Sequence, residues 1–452
     1  MDHITAFIRR QPIKTILGLF IVWGLLAFIN YLLRKFSLDT DTPLWFPISV
    51  FSGPTIHLQG LPYIILFIML ICLSLVRVSR LKGHHVWLIG FVLIILGNLG
   101  QGSFDAAFLS PFYETGIQYF HDAIKITSWS EWLRNFNTNQ VNLFTHSKTH
   151  PPFAVLIHYL ILHVTGNNIA ALSIAFTLIS SLTVPLMWYA FKVIGVPLEQ
   201  RNTLAILFSV IPAVNIYSAV SLDGLILTAS SLFLLGLIIV FRGSDRMATG
   251  ISLVTIGFVI TNLLTYGGVF LLGVGGLLAL WEIILWKKTL VASAMLISLL
   301  AMLLIVLIMV WRLGYNHVQG FFTASAIENP HGFAGFIEPL KYLVTRIEDV
   351  SEIALFLSFG CLAVLFNRKL LGSSLADSSD DIATISFVGV IALFVIFLAG
   401  AYRTGETART CLFIYPYLAL AYFRVEPTVL KDLVILAGFQ TAGMQLFGGY
   451  FW

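Results

Sequence analysis

Charge is what this chain has least of. Only 11% of its 452 residues are Asp, Glu, Lys or Arg, whereas 58% are hydrophobic and 14% aromatic; mean hydropathy is +0.91. A soluble domain carries about 25% charged residues, so a set this sparse excludes a water-covered globule and points to an integral membrane protein. Cysteine is scarce too. Cys72, Cys361 and Cys411 lie within or at the ends of apolar runs, which excludes a disulfide framework or thiolate metal site and leaves them as small buried residues. Strand-length alternation is missing, since the apolar runs are too long and uniform for a barrel. After "RRQPIK" the first apolar run continues without a small-residue cleavage pattern, so it is expected to span and not to be removed. The formal charge of +4 says little about partners, because in a membrane its distribution matters more than its sum.

A bilayer core of about 30 Å needs about 20 apolar residues per helix. Runs near that length predict spans near 15–33, 61–77, 86–100, 168–191, 203–219, 224–241, 249–264, 266–285, 289–311, 351–367, 383–401, 411–423 and 430–448, about thirteen transmembrane helices. The short basic connections "RRQPIK", "RVSRLK", "LEQR", "FRGSDR", "WKK", "NRK" and "FR" then fall on one side, the cytoplasm. Arg34 and Lys35 dissent, but they stand close enough to a helix end to snorkel. Four polar stretches fall outside: residues 101–167, Ser221 to Gly224, residues 312–350, and "YRTGETART" at 402–410. "GSSLADSSDD" at 372–381 is cytoplasmic and reads as a plain linker. No short repeat is visible, so 1–452 reads as one transmembrane domain: N-terminal helices 1–100, an external loop 101–167, a helical core 168–311, a second loop 312–350 and C-terminal helices 351–452. The expected fold class is an all-α polytopic membrane protein with amphipathic juxtamembrane helices in the first large external loop.

That loop carries Asp105, Glu114, Asp122 and Glu131 among aromatic residues. Tyr113, Ile117 and Phe120 stand at helical spacing, as do Trp129, Trp132 and Phe136, which predicts short helices lying on the membrane surface. The acids either form the wet face of those helices or, for Asp105, Glu114 and Asp122, supply a general base whose pKa rises with partial desolvation. "HSKTHPP" follows. His146 and His150, four apart, make half of a metal site or, with Lys148, a phosphate or substrate contact; a purely structural role is the third reading. Pro151 disfavours helical geometry at His150, and no third ligand lies nearby. Pro151 and Pro152 suit the first turn of the next helix. Asp223 sits between two apolar runs, where an ionisable group is either functional or an N-terminal cap. "YRTGETAR" places Arg403, Glu406 and Arg409 three apart, so Glu406 can orient two guanidinium groups toward phosphate oxygens; the alternative is an ordinary ion-pair cluster at a helix end.

In order and motif the chain resembles the GT-C superfamily of membrane glycosyltransferases, especially the protein O-mannosyltransferase and aminoarabinose transferase branch. An acidic first loop from Asp105 is followed by "THPPFAVLIHYL", similar to a His-Pro-Pro-Leu or Lys-Pro-Pro-Leu stretch. Then comes "IPAVNIYSAVSLDGLIL", similar to a Pro, small-residue, Asp pattern, and "GETAR" adds a late arginine site of the sort that grips a lipid phosphate. The resemblance covers roughly residues 100–290. It implies transfer of a sugar from a polyprenyl-phosphate donor to an unknown glycan, lipid or protein acceptor at the extracytoplasmic face, usually with inversion. Asp105 would be the base, with Glu114 or Asp122 in its place where Asp105–Ala106 departs from the family's Asp-Glu pair. His146, Lys148, His150, Asp223, Arg403, Glu406 and Arg409 would bind substrate or phosphate. A later Lys of the family is absent, Asn262 standing in "ITNLLTYGG". No cofactor is called for and no Asp-x-Asp pattern asks for a divalent metal, although the chemistry leaves room for one. The plasma membrane is the expected location, membrane lipids the other partners, and nucleic acid is not expected. The rival reading is a transporter or flippase of a lipid-linked or anionic solute, which would place its charges near mid-membrane on broken helices.

Overall fold

The computed structural model describes residues 18, 21, 25, 56–114, 116–243, 245–366, 381–402 and 406–449. The expected span at 15–33, Arg34, Lys35, the 372–380 linker and Arg403 therefore lie outside the described residues, apart from isolated positions in the first. The structure is all-helical, with no strand among the described residues. Its longer helices are α1 (Leu61–Val76), α2 (Gly83–Leu99), α3 (Trp129–Asn139), α4 (Pro152–Val164), α5 (Ile169–Ser181), α6 (Thr183–Ile194), α7 (Leu198–Val210) and α8 (Leu222–Phe241). They continue with α9 (Met247–Leu264), α10 (Val269–Trp281), α11 (Leu290–Ile308), α12 (His317–Glu328), α13 (Pro339–Leu357), α14 (Asp381–Leu398) and α15 (Pro427–Phe447).

Seven helical stretches among the described residues are long and apolar enough to cross a membrane: Leu58–Val76, Ile169–Ile194, Leu222–Phe241, Met247–Leu264, Tyr266–Trp286, Leu290–Leu313 and Asp381–Leu398. Each coincides with an expected span. Helix α8 is the axis of the bundle: its apolar stretch is 89% buried, and α5, α6, α9 and α11 pack around it. On the α9 side the backbones touch, because a Cβ on Gly236 would meet the Val254 nitrogen and one on Gly257 would meet the Phe233 nitrogen. Helices α1, α2, α7 and α15 form a neighbouring group.

Three other expected spans are broken: the 411–423 run holds only the short pieces Leu412–Ile414 and Tyr415–Leu420, and the other two break for a legible reason. Pro212 has no N–H to continue the helix from α7, so the 203–219 run divides into α7 and Pro212–Tyr217. The 351–367 run divides at Ser358, which has a φ of 90°. Backbone groups freed inside an apolar bundle need partners, and α15 supplies them. The Thr441 hydroxyl donates to the Val210 carbonyl at 2.6 Å; the Gln440 amide donates to the Leu355 carbonyl at 2.8 Å and accepts the Phe359 N–H at 2.9 Å. A buried amide chain reinforces the first break. Gln101 donates to Gln445, Gln445 to Asn215, and Asn215 to the carbonyls of Leu93 and Ser209.

The polar segments differ from the expectation in two places. Between Tyr113 and Phe120 there is no continuous helix: Gly116, with a φ of 65°, separates the helical stretch that ends at Tyr113 from the single turn Phe120–Ala123. Residues 312–350 are not a simple loop, since they hold α12 and most of α13. The other surface helix forms as its pattern predicts. In α3, Leu133 and Phe136 pack on Met309 and Tyr315, Glu131 and Arg134 face out, and the Ser128 hydroxyl accepts the Glu131 N–H.

Gln440→Leu removes both partners of the Ser358 break at once. A loss of about 1–2 kcal/mol is expected, read as a lower Tm of the detergent-solubilised protein. Ser252→Ala, which deletes an exposed bond within one helix, serves as the control that stays at the wild-type Tm.

Candidate functional site

Asp223 stands in the first turn of α8, where the Ser221 hydroxyl accepts its N–H at 3.0 Å and donates to its carboxylate at 2.9 Å. The cap of this helix is Ser221 and not Asp223, and the Asp223 carboxylate, at the positive end of the helix dipole, turns to a cation. That cation is Arg409, whose Nε lies 3.9 Å from Asp223 Oδ2. Glu406, three residues earlier in the chain, accepts from the same guanidinium. Arg409 is 8% exposed, Asp223 15% and Glu406 32%, so Glu406 is the partner nearest water. Burial alone would disfavour the guanidinium charge, but Glu406 and Asp223 outweigh it and raise its pKa above the ordinary arginine value.

The first loop reaches the same place. A narrow cleft is walled by Pro111, Phe112, Gln118, Tyr119 and His158 on one side and by Tyr217, Asp223 and Arg409 on the other. Its space, mouth included, is ≈ 450 Å³, of which ≈ 30 Å³ admits the centre of a water. Burial, then the charge of Asp223, push the Tyr119 hydroxyl well above the ordinary tyrosine pKa, so it keeps its proton. The rings of His146, His150 and His158 surround Tyr119 at centroid distances of 5.7, 5.3 and 5.3 Å.

The histidines of "HSKTHPP" are not cations. Burial first, and then the charge of Arg409, lower the His146 pKa well below its usual value, and burial brings His150 down to about 4. His150 Nδ1 lies 3.1 Å from the His146 carbonyl, an oxygen that only accepts, so this nitrogen carries the proton and the ring is held by backbone. His146 Nε2 is buried without a hydrogen-bond partner among the described residues. Among the described residues no group of three His, Cys, Asp or Glu is arranged to hold a metal ion. The Lys148 side chain does not line the cleft; its carbonyl accepts from Gln140, which also donates to the Gly320 carbonyl and so ties this turn to α12.

The loop acids divide. Asp122 is buried, accepts the Phe144 N–H at 3.0 Å and lies 3.9 Å from Lys125, which fixes the chain just before His146. Asp105 is exposed and accepts from the Tyr113 hydroxyl at 3.1 Å. Glu114 is exposed. Neither Asp105 nor Glu114 lines the cleft, so the carboxylates that meet the guanidinium are Asp223 and Glu406. Asn262 donates to the Phe258 carbonyl of its own helix. No family model matches this chain, and neither a curated protein nor a solved structure proved similar to it.

Sequence reasoning missed the residues that hold the arginine turn in place. Arg346 on α13 donates to the carbonyls of Phe397, Ala401 and Tyr402 at 2.6–2.7 Å and pairs with Asp349 at 3.0 Å. Glu352, two turns on, accepts the Ala408 N–H at 3.2 Å, and Thr407 donates to the Asp349 carbonyl. One face of α13 therefore grips the chain on both sides of 403–405. Tyr402 and Glu406 sit in the left-handed region at φ 57° and 58°, a conformation that costs a non-glycine residue about 1–3 kcal/mol and persists only where the surroundings impose it. The signal was present in "TRIEDVSE", whose charges recur at helical spacing, but polarity suggested a wet loop. His158 and Tyr119 were also missed. An ionisable residue in the apolar run "FAVLIHYLILHV" was the available signal for His158.

The lowered His150 pKa fixes a pH dependence. The folded imidazole titrates near 4 and the unfolded one near 6.5, so in that window the unfolded chain binds more protons and stability falls as pH falls. Tm should hold above about pH 6.5 and decline below it. His150→Gln should flatten that decline, which a thermal-denaturation series against pH would measure.

Proposed function

We propose that this protein is a membrane glycosyltransferase that moves a sugar from a polyprenyl-phosphate donor to an acceptor at the extracytoplasmic face. One observation supports the reading above the rest. Arg409, from near the end of the chain, and Asp223, at the head of the central helix, share one narrow cleft with Tyr119 and His158 from the first polar segment and the helix after it. The GT-C-like architecture of about thirteen spans expected from the sequence belongs to the same proposal.

The chemistry follows from the geometry. A donor phosphate takes the place of Glu406, the wetter of the two carboxylates, while Asp223 keeps the guanidinium oriented; arginine suits this exchange because its planar fork binds two oxygens at once. His146 and His150, both neutral, add no charge; outside the cleft lining, their rings pack behind Tyr119 and shape its wall. The polyprenyl tail lies in lipid along the apolar outer faces of the bundle. Asp105, which accepts from the Tyr113 hydroxyl and stands outside the cleft lining, is the base that the resemblance implies: its carboxylate takes the proton of the acceptor hydroxyl as the acceptor oxygen bonds to the anomeric carbon. The bond from that carbon to the phosphate oxygen breaks, and the carrier leaves as polyprenyl phosphate with its new charge on Arg409. Asp122 takes no part in this account, because the Phe144 N–H engages it; Glu114, which like Asp105 stands outside the cleft lining, is the second candidate for the base.

In nanodiscs, a radiolabelled polyprenyl-phosphate sugar should yield free carrier phosphate in the presence of an acceptor glycan or lipid fraction. Arg409→Ala and Asp105→Asn should each lower that release by about 100-fold or more, with Arg409→Lys retaining part of it. Appearance of intact carrier in the opposite leaflet without release would overturn the reading in favour of a flippase.

A further inference from the structure

The two ends of the cleft are chemically unlike. At one end stands a cation with its two carboxylates. The other end is aromatic: Phe112, Tyr119 and Phe176 enclose the ring of His158, at centroid distances of 6.0, 5.3 and 4.6 Å. His158 is 2% exposed. Its Nδ1 lies 2.7 Å from the Ala154 carbonyl, and since that oxygen only accepts, Nδ1 carries the proton and the lone pair is on Nε2. This tautomer is assigned from the hydrogen-bond partner. Nε2 makes no hydrogen bond to a described residue, and His158 lines the cleft. The Tyr119 hydroxyl likewise makes no hydrogen bond to a described residue, and it keeps its proton.

An unpaired acceptor and an unpaired donor among aromatic faces do not suit an anion, which needs donors and has no use for a lone pair. They suit a ring that offers hydroxyl groups at its rim and C–H groups on its faces. Resting on the glycosyltransferase reading, we infer that the aromatic end of the cleft is the subsite for the donor's sugar ring, in which His158 Nε2 accepts a hydrogen bond from one ring hydroxyl and Tyr119 donates to another. His158 is then a specificity-determining residue: a sugar lacking that hydroxyl leaves a buried acceptor unpaired, which discriminates far more sharply than a missing methylene does. Admitting the ring needs the wall at Gln118 and Tyr119 to yield, since only ≈ 30 Å³ is open as the cleft stands. That wall runs from the helical stretch that ends at Tyr113 to the single turn Phe120–Ala123.

Two substitutions separate this role from a structural one. His158→Asn places an amide where Nδ1 stands, keeping the bond to Ala154 and deleting the tip; His158→Gln extends an amide oxygen to the position of Nε2. Binding is measured on the purified full chain in nanodiscs with farnesyl phosphate and with its glucosyl, mannosyl and galactosyl esters. At least one ester should bind more tightly than farnesyl phosphate. His158→Asn should lower that advantage by about three- to tenfold, His158→Gln should keep most of it, and neither should alter binding of farnesyl phosphate itself. Retention by Asn with loss by Gln would assign His158 to the helix backbone and overturn the inference, as would esters that bind no better than farnesyl phosphate. If farnesyl phosphate binds equally to wild type and Arg409→Ala, it is the phosphate site, and with it the proposed function, that fails.

Discussion

A guanidinium that is more than nine-tenths hidden from water dominates the architecture of this molecule. Removing such an ion from water costs several kcal/mol even after relaxation, and the cost is met only by well-placed opposite charge and hydrogen bonds. Arg409 has two carboxylates, and they come from different kinds of structure. Asp223 is fixed by the central helix and Ser221, whereas Glu406 belongs to a short turn that would not hold its shape alone. The polar surroundings of the arginine therefore have a rigid half and an imposed half.

The imposed half depends on α13. Three carbonyls at the C-terminal end of α14 and beyond accept from Arg346, and the head of the arginine turn is fastened by Glu352 and by the Asp349 carbonyl. Of the four buried charged residues on this helix, Arg346, Glu348, Asp349 and Glu352, Arg346 and Glu352 serve backbone groups that a non-helical segment exposes, and Asp349 pairs with Arg346. On α15 the Thr441 hydroxyl does the same for the break at Pro212 and the Gln440 amide for the break at Ser358. At each of these three places, irregular backbone meets a side chain from another helix that satisfies it.

These dependencies set what could be read from the chain alone. The helices that are apolar and uninterrupted, such as α8 and α11, are written in local composition, and so is α3, whose Trp129, Trp132 and Phe136 mark one face. Pairing of Glu406 with Arg409 follows from their spacing of three. The break at Pro212 was locally signalled, but nothing nearby states that Thr441 and Gln445 complete it, more than 200 residues away. For α13 the local signal misled: "TRIEDVSE" has the charge of a solvated loop, and its burial follows from partners in 397–408 that only the fold brings near. His158 was hidden for the opposite reason, being one polar atom in an apolar run whose significance lies in the cleft it faces.

Helices α8 and α9 meet through Gly236 and Gly257 with no side chain between their backbones. Contact of that kind leaves no slack for α8 to slide or turn, so Asp223 works like the stationary jaw of a vise. Whatever enlarges the opening has to act on the other jaw, the short turns around Tyr119, and a descendant of this protein could take in a bulkier guest by rebuilding those turns while its central post stayed as it is.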